Sequence, residues 1–129
     1  MFEKTIKKYL FNELQLFDDS QDEDRNALNY FRRSRIHWLY LLNLMRSYYE
    51  KKPITKSDLI HKIQVSHITI LKYIKESIQL NLVEEIRSIN DKRKVILIPH
   101  NILIQDFENF YYEHTREMKQ LFDERQESS

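Results

Sequence analysis

The sequence predicts a mainly α-helical domain that carries one small β-hairpin. Between Ile54 and Pro99, two short segments have apolar residues at helical spacing, and a tight turn separates them. A strand-like segment, a charged polar turn and a second apolar segment follow. The order helix, turn, helix, strand, turn, strand is the layout of a winged helix-turn-helix. Residues 54–99 are therefore expected to form a winged helix-turn-helix lobe, with N- and C-terminal helices beside it.

The composition fits one globular domain that spans residues 1–129. Apolar residues make up 41% of the chain and charged residues 32%. The chain has no cysteine, which excludes disulfides and thiolate metal sites and fits a reducing, cytoplasmic setting. Charges are scattered through the N-terminal segment, and no apolar run is long enough to cross a bilayer. Neither a signal peptide nor a membrane partner is expected.

The distribution of charge is more informative than its sum. The formal net charge is only +1, which by itself does not argue for a nucleic-acid partner. Seven lysines and arginines lie between His61 and Lys94 against four acids, whereas residues 18–24 hold five acids and no base. Positive charge thus collects in the predicted lobe. Ordinary variation along a solvated surface is the alternative explanation.

Two helical segments are predicted before the lobe. The first covers residues 2–17, because its apolar residues recur at steps of three and four. Residues 18–24 are expected to be an acidic, solvated loop, since the spacing and the glycine of an EF-hand are missing. Residues 26–50 are predicted to be one long helix buried on more than one side. Its Arg32 and Arg33 either contact phosphates or pair with the acidic loop, and pairing is favoured.

Local signals mark the ends of the helices in the lobe. Thr55 and Ser66 are suited to accept hydrogen bonds at helix N-termini. Asn81 is suited to a left-handed helix end in a chain without glycine. The first helix has a predicted buried stripe of Leu59, Ile60 and Ile63. The second has core spacing at Ile70, Leu71, Ile74 and Ile78.

A hairpin and a last helix complete the chain. Residues 82–88 and 94–98 read as strands with a tip at 89–93, and Pro99 is expected to stop the second strand. Residues 101–126 form a long predicted helix with an aromatic-rich stripe. Together with 2–17 it has more apolar face than one small core covers, so both are expected to be dimerisation helices. The alternative is that both fold back on their own domain.

With these residues identified, the sequence resembles the MarR family of winged helix-turn-helix transcriptional regulators. The segment 69–74 resembles a recognition-helix pattern T-x-L-R-Y/W-I. Asn81-Leu82-Val83 stands where the family usually has Gly-Leu-Val, and Asp91-Lys92-Arg93 matches its D-x-R wing motif. The sequence departs from the family at Gln64, which replaces a glycine, and at Ser77, where a leucine is usually buried. We expect Ile78 to take over that packing.

The resemblance implies a sequence-specific, double-stranded DNA-binding regulator that acts as a homodimer. Recognition helix 66–80 would enter the major groove and wing 88–94 the minor groove. Asp91 would orient Arg93 or close the turn. The alternatives are that Lys72 and Lys75 are plain solvated residues and that Arg93 only pairs with Asp91 or Glu85. The expected DNA-binding residues are Ser66, His67, Thr69, Lys72, Tyr73, Lys75, Lys92, Arg93 and Lys94.

The resemblance also implies the kinds of partner. The DNA would be pseudo-palindromic and A·T-rich, because a symmetric dimer offers two recognition helices and a wing arginine favours a narrow groove. A pocket for a small-molecule effector is implied between the dimerisation helices and the lobe. Four aromatic side chains could line it, although a place in the ordinary core is favoured for them: Trp38, Tyr40, Tyr48 and Tyr49.

Other classes of function find little support in the sequence. The five histidines form no metal-binding pair, no glycine-rich phosphate loop can exist without glycine, and no nucleophile motif occurs. Catalytic, cofactor and metal sites are therefore not expected, and the protein is predicted not to be an enzyme. A protein-interaction winged helix, or a DNA-binding accessory factor outside transcription, remains the alternative function.

Overall fold

A computed structural model of the chain describes residues 1–18 and 26–128. The backbone follows the predicted order of helices and strands, and the winged helix-turn-helix architecture is confirmed. The predicted acidic loop 18–24 lies, apart from the backbone of Asp18, outside the described residues. The helices and strands, in chain order, are α1 (Phe2–Asp18), a 3₁₀ helix (Ala27–Arg32), α2 (Arg35–Tyr49), β1 (Ile54–Thr55), α3 (Lys56–Lys62), α4 (His67–Gln79), β2 (Val83–Arg87), β3 (Val95–Pro99) and α5 (Asn101–Ser128).

The prediction of one continuous helix over residues 26–50 is wrong. The segment contains a 3₁₀ helix and an α-helix, with a break at Arg33 and Ser34. Asn26 caps the first by accepting a hydrogen bond from the Leu28 N–H, and Ser34 caps the second by accepting one from the His37 N–H. Two polar side chains that satisfy helix-end N–H groups thus separate the segments.

The lobe begins and ends at the predicted signals. The Thr55 hydroxyl accepts the Asp58 N–H at 3.0 Å and starts α3. The Ser66 hydroxyl accepts the Thr69 N–H at 3.1 Å and starts α4. Asn81 has φ 60°, as predicted for a left-handed helix end, and Lys51 at the end of α2 has φ 57°. These turns use residues for which the left-handed region is less favourable than for glycine.

The buried side of α4 differs from the prediction at one position. Ile70 and Ile74 are buried as expected, but Leu71 is 40% exposed. Ser77 is fully buried instead, and Ile78 is half-buried against the core. The Ser77 hydroxyl lies 2.8 Å from the Tyr40 hydroxyl and donates to the Ile74 carbonyl at 2.7 Å. A small hydroxyl fits here because Tyr40 of α2 fills the space and needs a polar partner.

The sheet has three strands, in the order β1-β3-β2, and all neighbours are antiparallel. The sequence did not predict β1, whose two residues pair with Leu97 and Ile96. The second hairpin strand ends at Pro99, as predicted, and Pro99 itself is the last residue of β3 and pairs with Val83. A proline is tolerated at a strand end, where a missing N–H breaks no interior ladder bond.

Helix α1 packs against α5 of the same chain. The Thr5 hydroxyl donates to Glu124 at 2.7 Å, Tyr9 lies 3.1 Å from His114, and Asn12 donates to Glu117 at 3.2 Å. The helices therefore fold back on their own domain in part, but both keep exposed apolar residues. Those residues are Leu10, Phe11 and Leu14 on α1, and Ile102, Tyr111, Tyr112, Met118 and Phe122 on α5. No helix within residues 1–18 and 26–128 is long and apolar enough to cross a membrane.

Candidate nucleic-acid interface

Helix α4 has one face in the core and the opposite face in solvent. Ile70, Ile74 and Ser77 lie on the buried face. At 100° per residue, the opposite face carries Lys72 and Lys75, and both are exposed. Two of the predicted contact residues are therefore presented side by side, one turn apart, on the outer face of this helix.

The N-terminus of α4 carries three more of the predicted residues. Ser66 caps the helix, and its hydroxyl lies 2.9 Å from that of Thr69. His67, the first helical residue, is exposed. The free N–H groups at the start of this 13-residue helix give it partial positive charge, which favours an anion such as phosphate.

Tyr73 lies to the side of α4, where it contacts the preceding helices. Its ring stacks on His37 of α2, with centroids 3.7 Å apart. Its carbonyl accepts a hydrogen bond from the Tyr30 hydroxyl at 3.1 Å. Burial, helped by the positive charges of Arg33 and Lys72, lowers the pKa of His37, although Glu76 acts in the opposite direction. Tyr73 thus anchors α4 to α2 and is set apart from the outer face that holds Lys72.

The turn between β2 and β3 holds Arg93 away from the sheet. The Asp91 side chain accepts the Arg93 N–H at 3.0 Å, while its distance to the Arg93 guanidinium Nε is 3.8 Å. Asp91 therefore closes the turn, and the Arg93 side chain is 96% exposed. Glu85, the other proposed partner of Arg93, instead faces Lys56 at 3.5 Å. Lys92 and Lys94 are exposed on the same turn.

One open groove brings the two halves of the site together. It has a volume of about 600 Å³ and lies between α3, the start of α4 and the wing. His67 of α4 lines it together with Arg93 and Lys94 of the wing. Lys72, Lys75 and Tyr73 are not among its lining residues. The predicted contact residues thus divide into a groove set and an outer helix set.

Several residues near the groove were missed by the sequence analysis. His61 of α3 also lines the groove, with its ring centroid 6.5 Å from that of His67. Its Nδ1–H donates to the Ser57 carbonyl at 2.7 Å, which directs Nε2 away from the helix backbone. Arg87 donates to the Lys92 carbonyl at 2.9 Å and braces the turn from β2. The alternation of β2 could have indicated Arg87, but no sequence signal pointed to His61.

Two isoleucines are exposed at the same two elements. Ile68, the second residue of α4, is 81% exposed, and Ile89 at the tip of the wing is 97% exposed. No sequence pattern assigns either of them a role. Single exposed apolar residues are common on protein surfaces, so it is their position on the two candidate DNA-contacting elements, beside lysines and an arginine, that distinguishes them.

A second cavity lies between α1, the start of α2 and α5. Its volume is about 620 Å³, and Trp38 is the only one of the four predicted aromatic residues that lines it. Tyr40 is core, and Tyr49 donates to Glu108 at 2.9 Å elsewhere on the surface. Burial and the Glu108 carboxylate raise the pKa of Tyr49 to about 12. The residues that line the cavity are Glu13, Arg32, Arg33, Ser34, Arg35, Trp38, Phe110, Tyr111 and His114.

Arg32 is buried rather than presented to phosphate. Its guanidinium lies 5.1 Å from the centroid of the Trp38 ring and 4.8 Å from that of the Phe110 ring. Both contacts are within cation–π range. Burial lowers the pKa of Arg32 from its usual value. The predicted pairing partner, the acidic loop, lies outside the described residues. Across the ranges that the structure covers, no three potential metal ligands cluster.

Comparison with known proteins gives a result at the level of the fold. No family model and no curated protein matches the chain. Solved structures match over most of both chains. An S. aureus MepR–DNA complex is 20% identical with a TM-score of 0.53, and the match covers 93% of this chain and 98% of that one. For a variant of S. aureus MepR the identity is 17%, the TM-score 0.59 and the coverage 91% and 82%. A structure of MarR is 17% identical with a TM-score of 0.51, and the match covers 92% of this chain and 82% of that one.

Proposed function

We propose that this chain, whose fold is that of the MarR-type winged helix-turn-helix proteins, is a double-stranded DNA-binding transcriptional regulator. The observation that carries the proposal is the shared groove, in which His67 of α4 and Arg93 and Lys94 of the wing meet. A recognition helix and an exposed cationic wing on one side of a domain suit a duplex with alternating grooves. The similar MepR structure was solved as a complex with DNA.

In the proposed complex α4 enters the major groove. That groove is wide enough for one helix, and residues along the exposed face of the helix reach base edges. Lys72 and Lys75 supply cations on this face. Ser66, His67 and Thr69 would meet phosphate at the positive end of the helix. Tyr73 acts mainly by holding α4 at its angle against α2.

The wing would lie along the adjacent minor groove. Arg93 would insert, because its side chain is 96% exposed and the contact between its Nε and the Asp91 carboxylate is long, at 3.8 Å. Arginine in a minor groove is favoured where A·T-rich sequence narrows the groove and strengthens its negative potential. Lys92 and Lys94 would contact the flanking phosphates. The resulting preference is for A·T-rich sites read mainly through shape at the wing.

The protein would bind as a homodimer. The apolar residues that α1 and α5 leave exposed are the surface for a second copy, including Leu10, Phe11 and Leu14 on α1. A two-fold axis would place two copies of α4 about 34 Å apart, which is one turn of B-DNA. The site on DNA would then be pseudo-palindromic.

The cavity beside Trp38 is the proposed effector pocket. Its volume of about 620 Å³ is within the range for small-molecule sites. It lies where α1 and α5 meet the start of α2, and α2 carries the His37 ring that stacks on Tyr73 of α4. A ligand that moved α2 would therefore act on the reading helix through that stack.

Selection of bound duplexes from a random pool tests the function. Purified protein at low salt should enrich a palindromic, A·T-rich consensus, and the affinity for it should fall steeply as salt rises. The Lys72→Ala variant should bind that duplex more weakly. Recovery of no duplex at low ionic strength would contradict the proposal and favour a winged helix that docks a protein. A consensus without two-fold symmetry would contradict the dimeric arrangement alone.

A further inference from the structure

Ile68 is the large apolar side chain on the outward face of α4. It lies one helical turn before Lys72, so the two side chains point in similar directions. The side chain is 81% exposed, whereas Ile70 and Ile74 of the same helix are buried. Burial in the core of this chain therefore does not account for an isoleucine at position 68.

We propose that Ile68 contacts the C5 methyl group of a thymine and makes the protein prefer a T·A pair at one position of each half-site. This inference rests on the proposed function and names a base that the site reads. In the major groove, thymine is the base of the four that presents a methyl group. An exposed aliphatic side chain is the natural partner for that methyl, because both lose water when they meet.

The position of Ile68 within α4 favours a base over a phosphate. N-terminal residues of a recognition helix reach base edges when they lie on its outward face, as Ile68 does. Ser66 and Thr69 are engaged with each other, through an N–H···O bond at 3.1 Å and a hydroxyl contact at 2.9 Å. Ile68 lies between these two residues in the sequence, and its side chain has no polar group that could bind a phosphate. In a complex with duplex DNA it could therefore make only apolar contacts.

Ile89 provides the matched comparison. It is 97% exposed, so truncation removes a similar side chain from solvent without disturbing the core. It lies at the tip of the wing, which is proposed to follow the minor groove. The thymine methyl is on the major-groove edge of the base and cannot be reached from there. Ile89 is therefore expected to have no part in methyl recognition.

The test removes the methyl group from the DNA. The duplex most enriched in the random-pool selection is remade with deoxyuridine in place of each thymine in turn, which deletes only the C5 methyl. Wild-type protein should bind about fourfold more weakly when the critical thymine of one half-site is replaced, which corresponds to ~0.8 kcal/mol. Ile68→Ala should bind the thymine and deoxyuridine duplexes equally. Ile89→Ala should keep the wild-type ratio.

Two results would overturn the inference while leaving DNA binding intact. One is a wild-type protein that binds every deoxyuridine duplex as well as the thymine duplex. The other is an Ile68→Ala variant that still discriminates between them. Failure to enrich any duplex overturns the proposed function and this inference with it. Circular dichroism of Ile68→Ala should match that of wild type, because the side chain makes little contact with the folded chain.

Discussion

Asp91 and Arg93 show how one short turn can present a cation. An aspartate that accepts a backbone N–H two residues later forms a local turn of its own. The Asp91 Oδ1 atom lies 3.0 Å from the Arg93 backbone nitrogen, and a longer contact of 3.8 Å joins it to the Arg93 Nε. Asp91 thus closes the turn, and the guanidinium at its end remains exposed to solvent.

Arg93→Ala should weaken binding to an A·T-rich duplex by about tenfold at low salt. It should also make the slope of log affinity against log salt concentration shallower by about one, as expected for the loss of one phosphate contact. Fluorescence anisotropy across a series of salt concentrations measures both quantities. Arg116→Ala is the control, because Arg116 is exposed on α5 and pairs with Glu113 at 2.6 Å. It removes the same charge away from the wing. Equal effects of the two variants would contradict a specific role for Arg93.

Single residues were predictable where the local backbone sets the requirement. Thr55, Ser66 and Asn81 occupy the positions expected from capping and turn chemistry. The packing of Ser77 and the burial of Arg32 between two rings were not predicted, because the groups they contact come from elsewhere in the chain. Tyr40 determines that residue 77 carries a hydroxyl, and the Trp38 and Phe110 rings take up the Arg32 guanidinium. No local pattern contains that information.

At the scale of elements, two helices end in left-handed residues in a chain without glycine. Lys51 ends α2 at φ 57°, and Asn81 follows α4 at φ 60°. The left-handed conformation costs about 1–2 kcal/mol for most residues and less for asparagine, whose side chain bonds locally. Both turns are therefore points where the chain stores backbone strain.

Lys51→Gly should stabilise the protein by up to ~1 kcal/mol, because relief of strain exceeds the extra entropy of glycine in the unfolded chain. Asn81→Gly should give a smaller gain, since asparagine is already tolerated there. Urea unfolding measures both changes. Lys52→Gly is the control. It should destabilise the protein, because Lys52 does not have a positive φ and glycine therefore relieves no strain there. A loss of stability in Lys51→Gly would contradict the strain argument.

Helix α4, the proposed recognition helix, is tied to α2 through His37. The His37 ring stacks on Tyr73, and its Nδ1 lies 2.6 Å from the Ser34 hydroxyl that caps α2. Burial lowers the pKa of His37, with Arg33 and Lys72 in the same sense and Glu76 opposed. The folded state therefore disfavours the protonated form of this histidine, whereas the unfolded chain binds a proton near pH 6.5.

Acidification should destabilise the fold through His37. Above about pH 6.5 the group is neutral in both states and has no effect. As pH falls below that value the unfolded chain takes up the proton first, so the free energy of unfolding declines until the folded pKa is reached. Urea unfolding of wild type and His37→Gln between pH 7.5 and 5 measures how the free energy of unfolding changes with pH. This free energy should fall less steeply in His37→Gln than in wild type. In the control His61→Gln, which changes an exposed histidine, it should fall as steeply as in wild type.

Elements were predictable where periodicity runs unbroken. The ranges of α1, α4 and α5 follow their apolar spacing closely. The break at Ser34 was missed because the apolar residues continue across it, and only the capping bonds of Ser34 and Asn26 reveal it. Strand β1 was missed because two residues carry no period, and its pairing with β3 depends on a partner far along the chain.

At the scale of the whole molecule, α1 and α5 pack on each other without covering their apolar surface. The contacts between them are polar at Thr5, Tyr9 and Asn12, where each side chain meets a partner on α5. Leu10, Phe11 and Leu14 of α1 stay exposed. Polar pairs hold the helices within one chain, and the remaining apolar surface is what a second copy would bury.

Leu14→Glu should separate the proposed dimer. The side chain lies in the sequence-predicted stripe of α1 and is exposed in the single chain, so the substitution leaves the fold of one copy intact. In the dimer it would bury an unpaired carboxylate, which should raise the dissociation constant at least about tenfold. Analytical ultracentrifugation measures this directly.

DNA binding should weaken with dimer loss, because each half-site contact would then be made by a separate chain. Lys72→Ala is the reciprocal control: it should remain dimeric and lose affinity for DNA. These two variants separate the surface that pairs the copies from the surface that reads the duplex. A Leu14→Glu protein that sediments like wild type would place the dimer interface elsewhere. Wild-type protein that sediments as a monomer at high concentration would rule out the dimer altogether.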